Sequence, residues 1–223
     1  SEIMLQQTQV SVVIPFYNKF IKKWPTLEHF FTAKLDDILL IWQGMGYYKR
    51  AHNLYKAKEI LKKNKNFVIS SNSLKKLPGI GEYTSCAISA ILKDESCSVI
   101  DGNIKRVLTR VFNLESSNKS FKKDLENISA SLTPEKNNGY YCQSLMDLAN
   151  LVCKVTKPDC EICPVFQLCE SKGVIKQEIN KKILIRKVSV AFVVSYKESF
   201  LIEKNSESLL KDLHCFPLSE FNE

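Results

Sequence analysis

The chain has 223 residues, enough for one or two domains with real cores, and carries 32 Lys and Arg against 24 Asp and Glu for a formal charge of +8. That excess suits a polyanion, nucleic acid before an acidic membrane surface, although coding bias alone yields basic chains this rich in Lys, Asn and Ile. No apolar run is long enough for a membrane-spanning helix and no signal peptide is visible, and four of the eight cysteines are clustered, unlike the even spread of a small secreted disulfide scaffold.

Residues 1–152 read as helix after helix. Ser1 already looks like the interior of a helix, so the chain is expected to lack its natural N-terminus. Residues 1–10 and 11–24 form two helices or one kinked helix, because Pro15 disturbs a continuous ladder. Thr26 is an N-cap for residues 26–33, and the helix beginning at Leu35 stops at Gly44. Residues 47–63 place Tyr47, Ala51, Leu54 and Lys58 on one stripe. Further helices are expected over 82–93, 103–112, 121–132 and 137–153, joined by short connectors with Gly, Pro, Ser or Asp. Residues 171–186 read as a polar linker. Residues 187–196 and 199–204 are β-branched and aromatic, separated by Lys197-Glu198, and predict a hairpin opening a second domain of which only the start, 187–223, is present. Two strands cannot bury a sheet face, so this part is expected to be poorly ordered alone. The expected organisation is therefore a helical lobe over 1–95, a second helical lobe over 96–170, the linker and this α+β start.

Within the helical part, the turn LPGIGEY (Leu77–Tyr83) opens onto a helix, and the preceding SLKKL supplies basic residues and a short helix. Gly79 and Gly81 permit positive φ and close backbone approach, and amides at a helix start hold phosphate. A plain helix–turn–helix joint has the same look; with the basic flank the pattern is that of a helix–hairpin–helix, which grips a DNA backbone without reading bases. Asp101, in VIDGNIKRVLTR, precedes a helix and is a natural N-cap. A catalytic role for it needs a second acid, and Glu2 is the most conspicuous carboxylate in an otherwise uncharged segment.

The cysteines are the most specific signal. Cys153, Cys160, Cys163 and Cys169 have six, two and five residues between them, and the three histidines (His29, His52, His214) lie far away in sequence. Four thiolates on one compact loop suit a [4Fe–4S] cluster, with zinc as the alternative. Lys154 and Lys157 make the first inter-cysteine loop a charged protrusion fit for phosphate. Cys86, Cys97, Cys142 and Cys215 read as buried or incidental thiols.

A helix–hairpin–helix, an Asp about twenty residues on, and C-x6-C-x2-C-x5-C, in that order, resemble the endonuclease III superfamily of DNA glycosylases. Within it, SEIMLQQTQV, WQGMGYYKRAHNL, LPGIGEYTS, IDGNIKRVL and CQSLMDLANLVC are similar to the adenine-specific, MutY-type branch over residues 1 to about 170. SLLKDLHCFPLSEF resembles that branch's C-terminal Nudix-like region. The resemblance implies a mainly α, two-lobed fold with an iron–sulfur loop, a [4Fe–4S] cofactor, and double-stranded DNA carrying adenine opposite 8-oxoguanine or guanine as partner. It implies Glu2 as the acid protonating the leaving adenine and Asp101 as stabiliser of the sugar cation, with Tyr83 and Asn103 orienting them. Gln143 would contact the flipped base, Gln7 and Tyr47 would fill the duplex, and Gly79, Gly81, Lys105, Lys154 and Lys157 would meet DNA. The bifunctional relatives carry a catalytic Lys where this chain has Tyr83, which implies hydrolysis without strand cleavage. A monomer is expected, without membrane association, cytoplasmic and nucleoid-associated in a bacterial source. The rival readings are a thymine or uracil mismatch glycosylase and a non-catalytic iron–sulfur DNA-binding protein.

Overall fold

The structure, a computed structural model, describes residues 1–64, 66–98, 100–174, 188–206 and 211–219. Among the described residues ten α-helices follow in chain order: α1 Glu2–Leu5, α2 Val10–Lys23, α3 Leu27–Phe31, α4 Leu35–Trp42, α5 Lys49–Lys63, α6 Ser71–Leu74, α7 Glu82–Lys93, α8 Gly102–Val111, α9 Phe121–Leu132 and α10 Asn138–Asp147. The last runs on as a π-helical turn, Leu148–Val152. The first two are separate helices; Pro15 sits inside α2, where its missing N–H removes one rung without ending the helix. The Thr26 hydroxyl accepts from the His29 amide and so caps α3. Gly44 beyond α4 has φ +92°, a conformation that suits glycine.

Three packed clusters form the interior. Met4, Val13, Trp24, Phe30, Ile38 and Trp42 bind α1 to α5 together. Ala57, Leu74, Leu77 and Ile80 join α5 to the hairpin. Cys86, Ala87, Ile104, Leu108, Leu125 and Cys142 unite α7, α8, α9 and α10. Helix α7 packs into both of the last two, through Ile88 on one side and Ala87 on the other. At the end of α7, Asp94 takes a left-handed backbone and its carboxylate accepts from the amides of Asn137 and Asn138, fixing the start of α10.

Cys86 and Cys97 correct the reading of these positions as incidental thiols. They are disulfide-linked with Cα atoms 5.5 Å apart, because the loop leaving α7 folds back along it. Cys142 is a buried free thiol, as its apolar surroundings predicted.

The expected hairpin is present: β1 Ser195–Tyr196 pairs antiparallel with β2 Ser199–Phe200 around Lys197 and Glu198. A second short pair, β3 Glu203–Lys204 with β4 His214–Cys215, follows. This part touches the helices: Leu213 packs on the first cluster, Asp212 lies 3.6 Å from His52, and Lys204 lies 3.7 Å from Asp36. Most of the expected linker lies outside the described residues.

The two hairpin glycines differ in a way the sequence does not reveal. Gly79 has φ +76°, and a Cβ there would fall 2.6 Å from Asn53 Cβ. Gly81 has φ −85° and caps α7, and a Cβ there would meet nothing within 4 Å. The left-handed backbone and the overlap together should make Gly79→Ala destabilising by about 2–5 kcal/mol. Gly81→Ala should cost less than about 1 kcal/mol, the loss of a good cap. Denaturant unfolding of the two variants checks the difference.

Candidate active site

Four elements bring the chemistry together. Helix α1 carries Glu2, the first turn of α7 carries Tyr83, the start of α8 carries Asp101, and α10 carries Cys142. Glu2 and Asp101 act on the same two neighbours. Burial, then Cys142, Glu2 and Asp101, push the Tyr83 phenol well above its usual range. Burial, then the same two carboxylates, push the Cys142 thiol up to about 11. Both therefore stay protonated at neutral pH, in the field of two carboxylates.

Asp101 is held on both oxygens. One accepts from the Ile104 amide at 2.7 Å, the other from Asn103 Nδ2 at 3.1 Å. The cap and the candidate role coincide, since the same two donors that start α8 also fix the orientation of the carboxylate. Asn103 is itself oriented: its Oδ1 accepts from Arg106 Nη1 at 3.0 Å. Arg106 also donates to the carbonyls of Cys153 at 3.0 Å and Ala149 at 2.9 Å. A hydrogen-bonded path thus runs from the backbone of the cysteine loop to Asp101. The sequence offered no signal for Arg106, whose partners lie 43 and 47 residues away.

The cysteine loop closes on the far end of α8. The Glu170 and Ser171 amides donate to the carbonyls of Val111 and Arg110. Arg110 reaches back, donating to Lys154 O at 2.6 Å and Val155 O at 2.7 Å, with Nη1 3.4 Å from Cys153 Sγ. Cys153, Cys160, Cys163 and Cys169 line one pocket with Val107, Arg110 and Phe166. Gly173 borders it, where a Cβ would come 3.2 Å from Cys160 Sγ. Among the described residues no three His, Cys, Asp or Glu converge on a single ion-sized point; the sulfurs are spread round the pocket wall. An apolar pocket edged by four thiols and one guanidinium fits an iron–sulfur group better than one zinc ion, which needs four ligands at about 2.3 Å.

The remaining expected residues fall into distinct places. Gln143 is exposed beside Cys142, and its amide Nε2 folds back to Gly139 O at 3.0 Å. Gln7 and Tyr47 are exposed, and each has a left-handed backbone, φ 55° and 50°. Gln6, which sequence reasoning passed over, ties this region to the hairpin by donating to Gly79 O at 3.0 Å and Thr84 Oγ1 at 3.1 Å. Lys105 is exposed and sits over the Phe121 ring at 5.0 Å. Lys154 is paired with Asp159 at 2.6 Å, while Lys157 is exposed.

Residues 1–134 match the family model of HhH-GPD superfamily base excision DNA repair proteins. The chain is 39% identical over 227 residues to the adenine DNA glycosylase of Buchnera aphidicola subsp. Schizaphis graminum, with 97% of this chain and 65% of that protein covered. It is 35% identical over 183 residues to the human adenine DNA glycosylase, covering 80% of this chain and 34% of that protein. In structure it is similar to a thermostable thymine-DNA glycosylase, with TM-score 0.67, 25% identity, and 77% and 81% of the two chains covered. A trapped endonuclease III–DNA covalent intermediate shares the fold at TM-score 0.64 and 19% identity, covering 76% and 80%. The chain thus spans slightly under two thirds of the length of its Buchnera relative.

Proposed function

The chain belongs to the HhH-GPD superfamily of base excision DNA repair proteins, and from that premise we propose that it is the larger part of a monofunctional glycosylase that hydrolyses the N-glycosidic bond of adenine mispaired with 8-oxoguanine or guanine. The observation that carries the reading is the meeting of Glu2 and Asp101 around Tyr83 and Cys142, with Tyr at position 83 and no amine there.

Cleavage of a nucleoside bond passes through an oxocarbenium-like sugar and needs two carboxyls in different states. The adenine leaves the stack first, and Gln143 at the mouth contacts its edge. Glu2, protonated, donates to the leaving base and as carboxylate then receives a proton from the attacking water. Asp101, oriented by the Ile104 amide and Asn103, stands as the carboxylate against the developing cation. The neutral Tyr83 phenol helps to position the acid. Cys153, Cys160, Cys163 and Cys169 would hold a [4Fe–4S] cluster, which supplies organisation of the loop carrying Lys154 and Lys157. Duplex DNA is the partner, met by the Gly79–Gly81 hairpin, this loop, Lys105, and the pair Gln7 and Tyr47. The start of the C-terminal β part belongs to a Nudix-like domain that reads the opposite base.

A thymine mismatch glycosylase is the second reading, favoured by the thymine-DNA glycosylase likeness. The test is single-turnover base release from duplexes holding adenine opposite 8-oxoguanine, adenine opposite guanine, and thymine opposite guanine, with borohydride present. Adenine release without coupled incision or efficient trapping is expected. Thymine release, or incision that keeps pace with base loss, would overturn the reading.

A further inference from the structure

The side chain that links the two duplex-facing residues is a buried arginine on neither of their loops. Arg50 lies in the first turn of α5 and is 7% exposed. Its Nη1 donates to Met4 O at 2.6 Å and to Gln6 O; its Nη2 donates to Thr8 Oγ1 at 2.9 Å and Gly46 O at 3.2 Å. Gly46 O also accepts from Trp42 Nε1 at 3.1 Å. The guanidinium carbon stands 5.6 Å from the Trp42 ring centre and 5.2 Å from that of Tyr47.

Two features set this apart from ordinary anchoring. A cation is buried on carbonyl, hydroxyl and ring partners with no carboxylate among them, a costly choice where an apolar residue would fill the space. And two of the carbonyls it grips, those of Gln6 and Gly46, immediately precede Gln7 and Tyr47, the residues in left-handed conformations. A planar fork can hold two chain segments at once and fix both peptide planes; an ammonium cannot.

We propose that Arg50 is a positioning residue for mispair recognition: it staples the turn after α1 to the turn after α4, so that Gln7 and Tyr47 project as one preset wedge. The proposal rests on the DNA-glycosylase reading above. Its chemistry predicts coupling. With the staple gone, each wedge residue loses the backbone geometry set by the shared fork, and binding to a mispair loses its advantage over binding to a matched duplex.

The test measures that binding ratio, with a non-hydrolysable adenine analogue opposite 8-oxoguanine against a matched duplex, in the full chain. Arg50→Lys should lose about 10-fold or more of the ratio. In a Gln7→Ala/Tyr47→Ala background the same change should alter it by less than about 2-fold, because the residues it positions are already gone. Equal losses in both backgrounds, or an intact ratio in Arg50→Lys, would overturn the proposal. Circular dichroism and iron and sulfide content report folding. Should Arg50→Lys fail to fold, Thr8→Val removes one acceptor of the fork without a buried unpaired charge; the expected loss of about 2–3-fold must again vanish in the double-alanine background, and its persistence there would overturn the proposal. Because the assay reads binding, absent adenine release would refute the proposed activity while leaving the Arg50 result readable.

Discussion

Glu2→Gln should lower the single-turnover rate of adenine release by about 10²–10⁴-fold while duplex binding changes little. The amide keeps the size and shape of the side chain, so packing beside Tyr83 and Cys142 survives. What is lost is the proton: an amide neither donates to a leaving base as a carboxylic acid does nor takes a proton from water. The same substitution removes a negative neighbour of the Cys142 thiol, so the thiol, held at about 11 by burial and by both carboxylates, should titrate lower. Thiol titration followed by ultraviolet absorbance gives a second, independent reading of the placement of Glu2. A near-normal release rate would show that some other group is the acid.

The second large effect is expected of Asp101→Asn, with a loss of about 10²–10³-fold in the same assay. Asparagine is as good an N-cap as aspartate, so the bond from the Ile104 amide and the start of α8 should persist, and the stability loss should be limited to about 1–3 kcal/mol, that of one part-buried donor left unpaired. The new amide meets a further problem. With its oxygen kept by the Ile104 amide, its NH2 would face Asn103 Nδ2, donor against donor. Asn103 cannot simply flip, because its Oδ1 is held by Arg106, and Arg106 is fixed by the carbonyls of Ala149 and Cys153. Unfolding and single-turnover measurements on one preparation check both halves, and a variant that released adenine at the normal rate would remove Asp101 from the chemistry.

Much of this was legible along the chain because its determinants are local. Asp101 and Thr26 advertise helix starts three residues from the amides they cap. The hairpin at Lys197 and Glu198 follows from two β-rich runs and a two-residue gap. Four thiols within seventeen residues announce a shared site before any fold is known. The supporting arginines and Gln6 were not legible. Nothing in the sequence marks Arg50 or Arg106, and only the folded chain brings carbonyls 44 and 47 residues away into their forks. Gln6 reaches Gly79 across 73 residues, while its neighbour Gln7 drew attention through the resemblance. The disulfide between Cys86 and Cys97 was hidden for another reason: Cys86 lies in an apolar helical stretch where a thiol is an ordinary core residue, and Cys97 sits in a polar connector that gives no sign of folding back on it.

The left-handed backbones of Gln7 and Tyr47 set stability against use. An L-residue in that region carries about 1–2 kcal/mol that glycine avoids, more than the roughly 0.4–1 kcal/mol that glycine's freedom in the unfolded chain takes back. Tyr47 is 59% exposed, so little packing would be forfeited by trimming it. A library sorted for heat resistance alone would thus collect glycine at both positions and harvest robust proteins that lack the two side chains proposed to probe the duplex. Lineages that adapt to warmth while keeping repair accurate must gain stability elsewhere, and these two sites should stay frozen as the rest of the surface drifts.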